Sequence, residues 1–264
     1  MKRLGLIGNP IEHSLSPALF KEKFGGNNPD YSYDLILKDN FEEAAAVFKK
    51  DYYAANVTMP FKEKAYEYVG GLDMNATLAM AVNLMVNADK YMTLGYNTDV
   101  AAVQSMLRDI KKETGYEFLR VCIIGLGGAG RAAAVAALNR KDEVYICNRT
   151  KKNISRFKKN IIREEYNYIG FIIETCVLDK VKKMTRSLKD ADVIVYALPH
   201  VETENNSPII PEDIDLKGKW IIEPNYKDPV FSEEDAQVRG YHYISGKTWL
   251  RLQAEETYNI IMNK

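Results

Sequence analysis

The sequence predicts an α/β protein of two domains: an amino-terminal mixed-sheet α/β domain followed by a Rossmann-type doubly wound domain. Three observations predict it. Short apolar runs of strand length alternate with helical patterns along the whole chain. A glycine turn, "GLGGAG" over residues 125–130, lies between an apolar run and an alanine-rich stretch. A polar break, "KKETGYEF" over residues 111–118, separates a first alternation from a second. A length of 264 residues suits two domains of ordinary size.

Taken in order, "RLGLIG" is a first strand and a helix starts at Pro17, a residue favoured in the first turn. Strand "YSYDLIL", helix "FEEAAAVFKK" and strand "YYAANVT" follow, then a helix after Pro60. "AVNLMVNADKYMTLGYN" reads as two strands around polar turn residues Asn87 to Lys90, a hairpin that makes a mostly parallel sheet mixed. A helix over about Asp99 to Lys112 ends the first alternation. The second runs through "LRVCII", the glycine turn, "RAAAVAAL", "EVYIC", a Lys-rich helix, "IGFIIE", "DVIVYAL" and "KWIIE". "KTWLRLQAEETYNIIM" closes the chain as an amphipathic helix.

Composition narrows the function classes. Lys plus Arg and Asp plus Glu number 36 each, without a long single-sign block, which argues against a nucleic-acid partner. No apolar run approaches the roughly 20 residues of a membrane span, and the amino terminus has no signal-peptide core, so a cytoplasmic protein is expected. Cys122, Cys147 and Cys176 are widely spaced, and His13, His200 and His242 lack ligand spacing. Reduced, buried thiols and no metal site are expected.

Gly125, Gly127 and Gly130 form G-x-G-x-x-G after an apolar strand and at the start of a helix. In that setting the first glycine permits the tight turn, the second lets backbone approach a pyrophosphate, and the third allows close helix–strand packing. At the end of the next strand, where NAD sites usually place an acid, "CNRTKK" offers Arg149 beside Asn148, Thr150, Lys151 and Lys152. Arginine matches a phosphate in charge and geometry, which favours NADP; a basic helix start on the surface is the other reading.

In "AANVTMPFKEKAYEY", residues 54–68, Asn56, Thr58 and Lys62 sit around a strand-to-helix turn. A lysine in the first turn of a helix meets an unfavourable dipole. Either the "KEK" is solvated surface, or Lys62 is set there for acid/base work. Ser14 and Ser16 follow the first strand, Asn83 interrupts an apolar run, and "GYNTD" places Asn97, Thr98 and Asp99 at a helix start, where Thr98 or Asp99 could equally be an N-cap. Together these polar groups at element ends suit a pocket for a small polyhydroxylated acid.

Through "GNPIEHSLSP", "NVTMPFK", "AVN", "GYNTD", "GLGGAG", "NRT" and "SGKTWLRLQA", over nearly its whole length, the chain resembles the shikimate dehydrogenase family. The resemblance implies a substrate domain over residues 1–100, rejoined by the last helix, 247–264, and an NADP-binding Rossmann domain over 101–246, with the active site in the cleft between them. It implies reversible, NADP-dependent reduction of 3-dehydroshikimate to shikimate in aromatic amino-acid (chorismate) biosynthesis, by a monomer or homodimer. Lys62 then matches the catalytic lysine and Asp99 its carboxylate partner, while Ser14, Ser16, Thr58, Asn83, Tyr226 and Gln253 match substrate-holding groups. Asn56 and Thr98 stand beside them. Gly127, Gly128, Ala129, Asn148, Arg149, Thr150 and Gly246 match on the cofactor side.

The chain departs from the family's pattern at "YALPHV", where Tyr196, Leu198 and Val201 replace the residues of an "NATxxG" loop. It departs also at Phe20, Met74, Val100, Glu223 and Pro224. Quinate or another ring analogue as substrate, or a paralogue that binds substrate without efficient catalysis, are the alternatives these departures leave.

Overall fold

The computed structural model describes residues 1–25, 29–164, 171–177, 181–198, 209–211 and 213–263. They form two compact units, Met1–Ala101 with Arg251–Lys264, and Ala102–Leu250.

The first unit is built on a six-stranded sheet of strands β1 (Lys2–Gly8), β2 (Tyr31–Leu37), β3 (Ala54–Val57), β4 (Gly71–Leu72), β5 (Leu84–Asn87) and β6 (Thr93–Tyr96). Its order is β2-β1-β3-β5-β6-β4. Strands β2, β1 and β3 run parallel, with Leu4 opposite Tyr33 and Ala54. Strand β5 pairs antiparallel with both β3 and β6, so the hairpin does make the sheet mixed. Because side chains alternate across a strand, Ala54 and Ala55 point into different cores. On one face Ile7, Ala55, Val57 and Met85 pack beneath Phe41, Ala44 and Phe48 of helix α2 (Phe41–Asp51). On the other, Leu4, Ala54 and Leu84 meet Phe20 of helix α1 (Ser16–Phe24) and Ala254, Tyr258 and Ile261 of the closing helix, Gly246–Met262. Phe20 lies 4.9 Å from the Phe24 ring and 5.3 Å from that of Tyr33, an aromatic role that accounts for an apolar residue here.

Three short helices complete this unit's connections: α3 (Lys62–Tyr68), α4 (Met74–Ala79) and the start of α5 (Thr98–Thr114). Helix α3 follows Pro60, its first residue being Lys62 itself. One sequence expectation is corrected here. Neither Thr98 nor Asp99 caps α5; Asn97 does, its Oδ1 accepting from the Val100 amide at 3.3 Å. Capping by Asn97 leaves the next two side chains to other partners.

The second unit carries β7 (Arg120–Ile124), β8 (Glu143–Asn148), β9 (Ile172–Val177), β10 (Val193–Tyr196), β11 (Trp220–Ile222) and β12 (His242–Ile244). All pairs are parallel, in the order β12-β11-β10-β7-β8-β9, with helices α6 (Gly128–Asn139), α7 (Lys151–Arg163), α8 (Val181–Asp190) and α9 (Glu233–Arg239) between them. This is the doubly wound dinucleotide-binding order, which reverses direction at the junction of β7 and β10. Helix α6 is buried at every residue from Gly130 to Leu138; apart from Arg131 these are glycine, alanine, valine and leucine, apolar on all sides. Among the described residues no helix is long and apolar enough to cross a membrane.

Candidate functional site

Lys62 and Asp99 come together. The Lys62 Nζ lies 2.6 Å from Asp99 Oδ2, the lysine side chain 19% exposed and the carboxylate 5%. Each is in the first turn of its helix, and the first of these turns is tied to the segment leading into β5: the Val82 amide donates to the Lys62 carbonyl at 2.9 Å. The lysine is therefore not part of a solvated stretch. Its neighbour Lys64 is, meeting Glu42 on the surface with half its side chain exposed.

Around Thr98 a buried polar cluster has formed. The Thr98 amide donates to Asn83 Oδ1 at 2.7 Å, and Asn83 Nδ2 donates to Thr98 Oγ1 at 2.9 Å. Thr98 Oγ1 in turn lies 3.2 Å from Gln253 Oε1 and 3.3 Å from Thr257 Oγ1. Asn56 Nδ2 reaches Thr257 Oγ1 at 3.1 Å and the Asn83 carbonyl at 3.4 Å, and the Tyr33 hydroxyl donates to Asn56 Oδ1 at 3.1 Å. Asn83, Gln253, Asn56 and Thr98 thus share one network. Thr257 and Tyr33 belong to it and were missed by sequence reasoning. Thr257 had a usable signal, since it follows Gln253 by four residues on one face of a helix; Tyr33 had none.

Ser14 and Ser16 form a second, smaller group. The Ser14 Oγ accepts from the Ser16 amide at 3.2 Å and donates to its hydroxyl at 3.1 Å. Thr58 follows β3, its amide bonded to the Ile7 carbonyl at 2.8 Å, and a Cβ added to Gly8 would strike its methyl group. Ser14, Ser16 and Thr58 thus stand beyond the carboxyl ends of adjacent parallel strands β1 and β3, the edge at which open α/β sheets bind ligands.

In the second unit the glycine turn lies at the β7–β10 junction. Gly125 has φ of +94°, and a Cβ on it would meet the Ala197 carbonyl. A Cβ on Gly130 would collide with the Gly125 carbonyl, so this glycine lets α6 close on the turn. Gly127, the N-cap of α6, has nothing within 4 Å of an added Cβ, which leaves open space before the amides of Gly128 and Ala129. That cradle fits a dinucleotide's pyrophosphate. Asn148 is buried and bridges the turn to the end of β8: its Oδ1 accepts from the Leu126 amide at 3.0 Å and its Nδ2 donates to the Thr150 carbonyl at 3.0 Å. Arg149 and Thr150 are exposed beside it.

Tyr226 and Gly246 also belong to the second unit. The segment bearing Tyr226 is closed by the fully buried Glu223, whose carboxylate accepts from the Val230 amide at 2.9 Å, the Phe231 amide at 3.3 Å and the Tyr243 hydroxyl at 3.1 Å. Burial first, and the Glu223 charge next, push the Tyr243 hydroxyl up, keeping it a donor. Gly246 packs against the backbone of Pro224 and Asn225, where a Cβ would come within 2.5 Å of the Pro224 carbonyl. Tyr196 is a core residue, its ring edge-on to Phe231 at 5.3 Å. Leu198 packs on the same core, while Val201 and His200 lie outside the described residues. Among the described residues no group of His, Cys, Asp and Glu could hold a metal.

A doubly wound parallel sheet with a glycine turn at its switch point, in one chain with a part-buried lysine–carboxylate pair beside a cluster of amides and hydroxyls, defines a two-domain α/β dehydrogenase. Residues 6–85 match the family model of the shikimate dehydrogenase substrate binding domain, and residues 120–222 that of the NAD-dependent glycerol-3-phosphate dehydrogenase N-terminus. The shikimate dehydrogenase (NADP(+)) of Saccharolobus solfataricus is 32% identical over 269 residues, spanning 100% of this chain and 90% of that protein. A crystal structure of a shikimate dehydrogenase in complex with NADP+ is 27% identical, with a TM-score of 0.77 over 98% of this chain and 89% of its own. The quinate dehydrogenase of Corynebacterium glutamicum, solved with NAD, shares the fold at a TM-score of 0.79 and 20% identity, over 100% of this chain and 94% of its own. The chain belongs to the shikimate dehydrogenase family.

Replacing Asn148 with Ala should strand the Leu126 amide and cost about 1–3 kcal/mol, the usual penalty for a buried donor left without a partner. Urea unfolding of Asn148→Ala against wild type checks this.

Proposed function

We propose that this chain is an NADP-dependent shikimate dehydrogenase, interconverting shikimate and 3-dehydroshikimate. The observation that carries the reading is the Lys62–Asp99 pair, two charged side chains 2.6 Å apart and mostly withdrawn from water, beside a cluster of neutral hydrogen-bonding groups. A surface ion pair needs no such surroundings.

Shikimate is a ring acid with three hydroxyls, and its oxidation removes a hydride from one carbinol carbon and a proton from that carbon's oxygen. NADP, when bound, supplies the hydride chemistry. Lys62 handles the proton: as the ammonium it gives one to the oxygen of the ketone being reduced, and in oxidation the same Nζ, as the neutral amine, takes it back from the alcohol. Asp99 fixes the ammonium in position and balances its charge, a task suited to a carboxylate held at a helix start. Ser14 and Ser16 suit the substrate's carboxylate, while Thr58, Asn83 and Gln253 suit its ring hydroxyls; Tyr226 joins them as a further substrate contact. Gly125 through Gly130 and Asn148 would hold the pyrophosphate and adjoining ribose, and Arg149 and Thr150 the 2′-phosphate, with Gly246 required for its tight backbone packing. Cys122, Cys147 and Cys176 are buried thiols, the Cys176 Sγ donating to the Cys147 Sγ at 2.9 Å, and a cytoplasmic setting suits them.

The test is a spectrophotometric assay at about 340 nm with shikimate and quinate, each offered with NADP and NAD. Reduction of NADP by shikimate at ordinary enzyme rates, roughly 10 per second, is expected. Turnover of quinate alone would move the substrate assignment. Shikimate binding without reduction of either cofactor would overturn the catalytic reading in favour of a binding protein.

Lys62→Ala is expected to lower kcat by roughly 10²-fold or more while shikimate KM stays within a few-fold, the signature of a lost acid/base group. Steady-state kinetics of the variant check it. Arg149→Ala should weaken NADPH far more than NADH, because only the former carries the phosphate; fluorescence titration with both cofactors gives the comparison, and equal losses would make Arg149 structural.

A further inference from the structure

Two of the buried thiols of the second unit sit side by side. Strands β8 and β9 are parallel neighbours, and in their register Cys147 stands directly opposite Cys176. Residues paired in this way point to the same face of a sheet, and both cysteines enter one core with Ile124, Tyr145 and Tyr196. Neighbouring strands lie about 4.8 Å apart, within the span of roughly 4.4–6.8 Å over which a disulfide joins two Cα atoms. The sulfurs are 2.9 Å apart, so a bond of about 2.0 Å needs them to close by only about 0.9 Å. Cys122, on β7, stands opposite Tyr145 and is two residues out of step with the pair.

The position of the pair gives such a bond a consequence. The Cys147 carbonyl accepts from the Gly125 amide at 2.8 Å, and the next residue, Asn148, accepts from the Leu126 amide at 3.0 Å. Cys147 and Asn148 are therefore the residues by which β8 holds the first half of the glycine turn. Drawing the Cys147 side chain toward β9 pulls on the same backbone. Gly125 has little freedom to follow, since its φ of +94° and the nearby Ala197 carbonyl fix it in place.

We propose that Cys147 and Cys176 are a site of reversible oxidation by a peroxide, forming a disulfide that weakens the glycine turn's hold on a dinucleotide. Cys176 reacts first: it lies on the edge strand of the sheet and is 4% exposed, whereas Cys147 is fully buried. Its thiolate attacks one oxygen of hydrogen peroxide, the O–O bond breaks, hydroxide leaves, and a sulfenic acid remains. The Cys147 sulfur, already in contact, then attacks the Cys176 sulfur and expels hydroxide, which takes up the Cys147 proton and departs as water. Two thiols and one peroxide thus give one disulfide and two waters, the two electrons lost by the sulfurs entering the broken O–O bond. Proximity favours this second step over further oxidation of Cys176. A dithiol reverses the bond by exchange.

The experiment treats the whole chain with hydrogen peroxide and reads two quantities. In the first arm, thiols counted after unfolding should fall from three to one and recover with dithiothreitol, and peptide mapping should join the Cys147 segment to the Cys176 segment with Cys122 untouched. Cys176→Ala should form no bridge, and Cys122→Ala should behave as wild type. The second arm rests on the NADP reading. The NADPH Kd, from cofactor fluorescence, should rise roughly three- to tenfold on oxidation, the range for one lost hydrogen bond, and return with dithiothreitol. Peroxide-treated Cys176→Ala should keep its Kd, which separates the disulfide from general oxidative damage. Three thiols after peroxide, oxidation without a bridge, a bridge that includes Cys122, or an unchanged NADPH Kd in fully bridged protein overturns the proposal. If untreated wild type fails to bind NADPH, the functional reading falls, and the thiol count and peptide map alone decide the disulfide.

Discussion

The reciprocal bond between Asn83 and Thr98 is the joint on which the first unit's site depends. It pins the start of α5 to the segment leading into β5 through one amide and one hydroxyl, both buried. Asp99 is the next residue, so its carboxylate is delivered by that joint, and the neighbouring Val82 holds the carbonyl of Lys62. The charged pair is therefore aligned by neutral groups. Such an arrangement suits proton transfer, because the side chains that move a proton need not also carry the framework.

The second unit solves a like problem with a single side chain. Its glycine turn has no side chains with which to hold itself, since close approach is the reason for the glycines. Asn148, at the end of the adjacent strand, supplies the missing acceptor at Leu126. The cofactor-side role expected for Asn148 and this structural role are compatible, because both amide ends stay inside the turn and the exposed Arg149 and Thr150 extend beyond it. Glu223 does the same for the segment around Tyr226, at the cost of burying a carboxylate, which three donors offset.

What could be read from sequence was what local chemistry determines. The glycine turn, the parallel second sheet and the hairpin follow from spacing and period, and Lys62 was conspicuous because a lysine sits poorly at a helix start. The cap of α5 was misread between near neighbours: Asn97, Thr98 and Asp99 are all good capping residues, and only the bond to Val100 distinguishes them. Tyr33 and Thr257 were illegible for a different reason. Asn56 and Thr257 are separated by 201 positions, and no periodicity within either segment announces that they meet. Tyr196 and Phe20 were legible only as departures from a pattern; both prove to be aromatic packing residues, so their substitution reflects the composition of the cores they enter.

The closing helix has a further consequence, which concerns the order in which the protein is made. Its inner face gives the first unit three core residues, Ala254, Tyr258 and Ile261, and two members of the polar cluster, Gln253 and Thr257. Thr98 precedes Gln253 by 155 residues, and the intervening chain is the second unit. As synthesis proceeds from the amino terminus, at about 5–20 residues per second, the second unit's sheet is complete while in the first Leu4, Ala54 and Leu84 have only the α1 side of their covering. The unit begun first is finished last, and until then its apolar face is a surface for chaperones to shield.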